Sequence, residues 1–359
     1  MDDKPLADLL VIETAAILAG PAVGMFFAEL GARVVKVENK RAGGDVTRKW
    51  KLPSEDPKSP VSAYFSSVNW GKEHLFLDLQ DPADRATFDH LIAGADVLIT
   101  NHMAADAEKL GLEPERLRGL NPRLVHGHIK GFADRPERPA FDLVLQAGTG
   151  YLSMTGTDPE HLAKIPVAMI DVLAAHQLKE GLLLALMQRQ RTGKGALVVT
   201  SLEEAALTGL INQASNQLMA GHTARPLGTL HPNIAPYGEL FTCRDGGRIV
   251  LAVGNDKQFA GLCTVLGIGD LPTDERFRNN QQRVSHRTAL ADLLAPAVAR
   301  HDRDTLIEAL VQAEVPAGAV LHMDEVMESP AARSMLLEEM NEGRPTARIS
   351  GNAFRITSY

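Results

Sequence analysis

The chain has 359 residues, more than one hydrophobic core usually sustains, and so predicts two lobes. Hydrophobic residues make up 45% and charged residues 23%, a balance that excludes a disordered chain, a collagen and a coiled coil. Forty-five acids against thirty-seven Lys and Arg leave a net charge of −8, which argues against a nucleic-acid binder, whose footprint is net basic.

Leu9–Glu13 is a short apolar run that reads as a buried strand. The acidic start Met1-Asp2-Asp3-Lys4, with Glu13 breaking that run, fits neither a signal peptide nor an anchor. Gly20-Pro21 then opens a helix over Ala22–Leu30, stopped by Gly31, and Arg33–Glu38 is a second strand. Strand, helix and strand in this order make a βαβ unit with parallel pairing. The alternation continues with strands at His74–Asp78, Asp96–Thr100 and Leu124–Lys130. A helix lies across Asp81–Ala93, and short helical turns are expected at Asp106–Leu110 and Pro114–Leu117.

Asp171–Gln190 is the clearest helix, with Leu178, Leu182 and Leu186 on one stripe and Asp171 at the N-cap position. Lys179, Glu180 and Arg189 flank Leu182–Met187, so the chain offers no membrane span there or elsewhere. Thr192–Gly195 turns into a strand at Ala196–Ser201. The character changes near Ala224. A proline-punctuated loop, His231–Tyr237, leads to a hairpin of Gly238–Cys243 and Arg248–Val253. Helices at Asp256–Val265, Arg287–Ala299 and Arg303–Ala313 complete a second, α+β lobe. Ala317–His322 and Ala347–Ser350 read as strands returning to the first lobe. Cys243 and Cys263, without a CxxC, read as buried small hydrophobes in a cytoplasmic protein rather than zinc ligands.

The first βαβ unit invites a dinucleotide-binding reading, because Glu38 ends the second strand eighteen residues after Gly20. The turn Ala19-Gly20-Pro21-Ala22-Val23-Gly24 lacks the first glycine of that fingerprint, and Pro21 removes a backbone N–H that a pyrophosphate needs. His126 and His128 alternate on a strand and read as core or surface residues; Glu203-Glu204 reads as a solvated helix face. Asp171 sits between Val167–Ile170 and Val172–Ala175, where a carboxylate must be capped, paired or working. An N-cap and a reactive group remain equally open.

Several segments together resemble the class III CoA-transferase family, which includes formyl-CoA transferase and carnitine CoA-transferase and is related to α-methylacyl-CoA racemase. They are Ala19-Gly20-Pro21, Leu30–Glu38, Gly44-Asp45-Val46-Thr47-Arg48, Asn69–Asp78, Asn101 with Glu108–Leu112, Thr192–Gly195, His231–Tyr237 and Val253–Asp256. The resemblance implies an open, mostly parallel Rossmann-like sheet in a large α/β domain, a smaller α+β domain, and an interlocked homodimer. It divides the chain into a CoA-binding part at 1–223, a small domain at 224–315 and a returning segment at 316–359.

The resemblance also implies that Asp171 is a covalent nucleophile on acyl-CoA. Ile17, Asn39, Lys40, Leu77, Asn101, His102, Lys109 and Leu110 are then CoA contacts, with Arg41 a further phosphate partner. Leu18, Phe141, Asp142, Gly254 and Asn255 are candidates for lining the site. CoA and acyl-CoA serve as substrates with a free carboxylic acid, and no metal, flavin, nicotinamide, nucleic acid or membrane is expected. The glycine-rich loop of formyl-CoA transferase is missing, and the chain ends at Tyr359 without the usual helical tail. That short length suits the racemase branch, but where a racemase pairs His with Asp this chain has Phe141-Asp142, and phenylalanine carries no proton. A racemase, an NAD-dependent dehydrogenase and a non-catalytic CoA-binding protein are the rival readings.

Overall fold

The computed structural model describes residues 4–135 and 137–357, so the acidic start at Met1–Asp3 lies outside the described residues. The chain divides into two compact units. The first runs to Leu152, resumes over Lys164–Thr223 and returns from Ser334; the second holds Ser153–Ala163 and Ala224–Arg333.

In the first unit, six strands form one sheet: β1 (Leu10–Glu13), β2 (Arg33–Asn39), β3 (Lys72–Leu77), β4 (Val97–Thr100), β5 (Val125–Lys130) and β6 (Ala196–Ser201). Their order is β3-β2-β1-β4-β5-β6 and every pairing is parallel. Parallel strands need crossovers on the sheet faces, which is why the inner strands read as continuous apolar runs. Alternate residues feed two cores. Val11, Val97, Ile99 and Val125 pack with Val23 and Phe27 of the Ala19–Glu29 helix and Leu178 and Leu182 of the Met169–Thr192 helix. Ile12, Leu98 and Val35 face Phe88, Ile92 and Leu117 on the opposite side. The chain leaves β1 toward β2 and later starts again with β4 on the other flank of β1. The loops after β1 and β4 therefore part, and a crevice opens at their C-terminal ends.

A buried ionic cluster sits under that crevice. Glu13 of β1 accepts from Lys36 at 2.9 Å and Lys72 at 2.8 Å, and all three side chains are almost wholly buried. Lys72 Nζ also donates to the Pro21 carbonyl at 2.8 Å and to Asn69 Oδ1 at 3.0 Å. Within Asn69–Asp78, Asn69 and Lys72 thus anchor the first turn of the Ala19–Glu29 helix. Gly24 is required beside it, because a Cβ there would collide with Glu13 Oε2.

The second unit has a three-stranded antiparallel sheet, Ala317–Val320, Arg248–Ala252 and Tyr237–Thr242 in that order. Helices at Asp256–Leu266, Arg287–Val298 and Arg303–Gln312 bury Phe259, Leu262, Leu294 and Leu306 against it. Cys243 and Cys263 are free and buried there, and burial pushes the Cys263 thiol up to about 12.

Two expectations are corrected. Ala317–Val320 pairs with Arg248–Ala252, Gly318 opposite Val250, so it belongs to the second unit's sheet rather than to a segment returning at 316. The return begins at Ser334 rather than at 316, and the strand expected near Ala347–Ser350 is there in the first unit as Arg344–Ile349, paired in a hairpin with Leu336–Asn341. Glu29 ties the following residues down, accepting from Ser350 Oγ at 2.7 Å and from the Gly351 N–H at 2.9 Å. Among the described residues no helix is long and apolar enough to cross a membrane.

Candidate active site at the sheet switch point

A cavity of about 510 Å³ occupies the crevice at the C-terminal ends of β1, β4 and β5. Its rim is the loop after β1, held in an unusual shape. Ile17 adopts φ 76°, which costs a β-branched residue energy. Side chains hold it there: the Ala16 N–H donates to Asn101 Oδ1 at 3.1 Å, and Asn101 Nδ2 donates to the Ala16 carbonyl at 2.8 Å. The Ile17 N–H donates to Asp45 Oδ2 at 3.2 Å, and Asp45 also pairs with Lys36 at 3.1 Å.

Glu38, which the dinucleotide reading would offer to a ribose, is already engaged. Arg48 forks onto it at 2.6 and 2.7 Å, and the Asp45 N–H donates to it at 2.8 Å. Burial pushes its carboxyl up, but hydrogen bonds from Arg48 and His74 outweigh that and hold it far below the ordinary range. The Glu38 carboxylate is therefore ionised, paired and buried.

Asp171 lines the cavity from the first turn of the Met169–Thr192 helix. It is the third helical residue and not the N-cap, which is Ala168 without a side-chain cap bond; this corrects the expected helix start. The capping oxygen comes from elsewhere. Asp142 Oδ1 accepts from the Ile170 N–H at 2.7 Å. Asp171 is only 8% exposed, and burial first, then the Asp142 charge, pushes its carboxyl from 3.8 up to about 7. A helix N-terminus would favour the ionised form by up to about 1 kcal/mol at a surface, so burial is the larger effect here. The half-buried Tyr64 feels the same group: burial first, then Asp171, Asp142 and Asp45, raises its phenol to about 12.

One wall of the cavity is built from imidazoles. Thr100 Oγ1 lies 2.9 Å from His126 Nε2 and 2.7 Å from His128 Nδ1. Burial depresses both rings, to about 3 and about 4, so both are neutral near pH 7. His102 hydrogen-bonds Thr14 at 3.0 Å and is likewise depressed by burial.

The structure thus brings Ile17, Leu18, Asn101, His102, Phe141 and Asp171 to one cavity. Asp142 joins them through Ile170. The remaining expected contacts stand outside this lining. Leu77 is core, and Leu110 packs against the same core. Asn39 accepts from the Arg41 N–H at 3.0 Å, Lys40 lies 3.6 Å from Asp84, Arg41 2.6 Å from Asp78, and Lys109 3.2 Å from Asp106. In the second unit, the Gly254 N–H donates to Gln258 Oε1 at 2.8 Å, and Asn255 caps the Asp256–Leu266 helix through the Gln258 N–H at 2.9 Å. Sequence reasoning missed the cavity position of His126 and His128. The strand alternation of the two histidines put them on one face, but nothing in it told that this face lines a cavity.

A doubly wound parallel sheet with a cavity at its switch point, and a buried carboxyl of raised pKa inside it, defines an α/β enzyme. Residues 6–357 match CoA-transferase family III, and the chain belongs to that family. It is 35% identical over 336 residues to a succinate–glutarate CoA-transferase of Agrobacterium fabrum, covering 92% of this chain and 83% of that one. It is 32% identical to an acetyl-CoA:oxalate CoA-transferase of Acetobacter aceti, covering 99% of this chain and 90% of the other. A CAIB/BAIF family protein from Brucella suis superposes with a TM-score of 0.88 at 35% identity, covering 99% of this chain and 93% of that chain. The motifs and the fold therefore agree on a class III CoA-transferase.

Proposed function

We propose that the chain moves CoA from an acyl-CoA thioester to a free carboxylic acid, with Asp171 as the covalent nucleophile. The Asp171 carboxylate attacks the thioester carbonyl, and the C–S bond breaks to give a mixed anhydride and the CoA thiolate. The thiolate attacks the aspartyl carbonyl, expelling the donor acid as its carboxylate and leaving an aspartyl-CoA thioester. The acceptor carboxylate attacks that thioester, forming a second anhydride and the thiolate again. Attack of the thiolate on the acceptor carbonyl then releases the product thioester and the Asp171 carboxylate. No net proton is consumed, and every intermediate is an activated acyl group, so each step nearly conserves energy.

The observation that carries this reading is the Asp171 carboxyl, buried in the cavity with its pKa raised to about 7. A more basic carboxylate is a stronger nucleophile, and a dry site protects anhydride and thioester from water. Asp171→Ala should abolish transfer by several orders of magnitude while CoA still binds. Hydroxylamine added during turnover should label the peptide containing Ile170-Asp171-Val172. A label on Asp142, or an active Asp171→Ala enzyme, sinks the assignment.

Relatives named for succinate, glutarate and oxalate support dicarboxylic acids as the substrate class. Lys130 and Arg138 line the same cavity and make no side-chain ion pair among the described residues, which suits a second carboxylate. A homodimer is part of the same reading, supported by the strongly exposed Ile211, Leu218 and Met219 of the Ile211–Ala220 helix. So is a cytoplasmic enzyme that works without metal, flavin or nicotinamide.

A further inference from the structure

We infer that Gln146 is a positioning residue for transfer: with Asp142 it grips both ends of the segment that delivers Asp171. The inference rests on Asp171 being the nucleophile. Gln146 is fully buried, and both ends of its amide are used. Nε2 donates to Asp142 Oδ2 at 2.6 Å and to the Ile165 carbonyl at 3.3 Å, while Oε1 accepts from the Ile165 N–H at 2.9 Å. The other Asp142 oxygen, Oδ1, takes the Ile170 N–H at 2.7 Å, one residue before Asp171. Asp142 and Gln146 lie four residues apart in the Asp142–Gly148 helix, so they share a face.

The chemistry requires an amide at this position. A peptide group needs both an acceptor and a donor, and the Asp142 carboxylate needs a donor; a primary amide supplies all three. Methionine of similar length supplies none, and an ionised glutamate would set a second negative charge against Asp142. The Met169–Thr192 helix has no side-chain cap of its own, so Asp142 is its external cap and Gln146 fixes the direction of that cap. Nucleophilic attack tolerates little error, since a displacement of about 1 Å costs about a hundredfold in rate.

Gln146→Met should therefore lower kcat by about a hundredfold, while the KM for acyl-CoA changes by less than about threefold. The double variant Asp142→Asn with Gln146→Glu exchanges donor and acceptor. The new amide donates to the new carboxylate, its oxygen still accepts from the Ile170 N–H, and the carboxylate still accepts from the Ile165 N–H; only the long bond to the Ile165 carbonyl is lost. Its kcat per folded enzyme should exceed that of either single variant by about tenfold or more, the normalisation removing the coupling that restored stability would itself produce. If Gln146→Met fails to fold, Gln146→Glu against the double variant carries the same comparison. A wild-type kcat in Gln146→Met, or a double variant no better than its singles, overturns the inference. Hydroxylamine labelling of the wild-type enzyme separates the two failures: a label on Asp171 with an indifferent Gln146 removes only the positioning role, whereas a label elsewhere removes the nucleophile.

Discussion

Replacing Asp171 by asparagine should stabilise the protein, and by an amount that depends on pH. Below pH 3.8 the carboxyl is protonated in both the folded and the unfolded chain, so it costs nothing. Between 3.8 and about 7 the unfolded chain releases the proton while the folded chain keeps it, and stability is lost as pH rises. Above about 7 the folded chain holds a buried charge. The rise from 3.8 to about 7 corresponds to about 4 kcal/mol of lost stability at pH 8. Asparagine cannot ionise and escapes this cost. Urea unfolding of Asp171→Asn against wild type should show a gain that grows by about 2–3 kcal/mol between pH 5 and pH 8, in an enzyme without transfer activity. A capping role for Asp171 predicts the opposite, a loss of about 0.5–2 kcal/mol at both pH values. A less stable Asp171→Asn protein at pH 8, or a gain that ignores pH, would refute the account of this carboxyl.

The cationic wall makes a separate prediction. Lys130→Ala and Arg138→Ala should each raise the KM for a dicarboxylic acceptor such as succinate and leave that for butyrate, which lacks the second carboxylate, nearly unchanged. If the KM for acyl-CoA rises instead, the two cations serve the CoA phosphates. The exposed apolar helix makes another: wild type should sediment as a dimer at micromolar concentration, and Leu218→Glu with Met219→Glu should shift it toward the monomer. A wild-type protein that sediments as a monomer removes the dimer from the proposal.

Much of the first unit was legible because buried parallel strands are written as short apolar runs. Val97–Thr100 and Ala196–Ser201 fell where their residues suggested. The start of the Met169–Thr192 helix did not. Aspartate is the usual capping residue, so Asp171 drew the boundary to itself, whereas the true capping oxygen belongs to Asp142, twenty-eight residues before Ile170. No local pattern reports a cap supplied from that distance. The Leu202–Gly209 helix was only half legible. Glu203-Glu204 reads as a helix face, and the boundary signal lies just before it. Ser201 accepts from the Glu204 N–H at 3.0 Å, and a serine followed three residues later by glutamate is a helix-start signal plainly present in the chain.

Ala317–Val320 shows a limit of another sort. Its apolar character tells that it is a strand, but the same four residues would suit either sheet, and only the pairing of Val320 with Arg248 settles the partner. The site obeys the same division between local and distant information. Glu13 inside an apolar strand signalled that something unusual was buried there, and the parallel register sets it opposite Lys36. Lys72, its other partner, comes from a strand one further across the sheet. Breaking such a cluster by removing one member costs about 3–5 kcal/mol, because it leaves an uncompensated charge. That expense is sustained directly beneath the Ala16–Leu18 loop, where Lys36 also donates to the Ala15 carbonyl at 2.7 Å. The buried charges are best understood as the device that holds a strained loop in place beside Asp171, so the stability of this fold and the geometry of its site depend on the same residues.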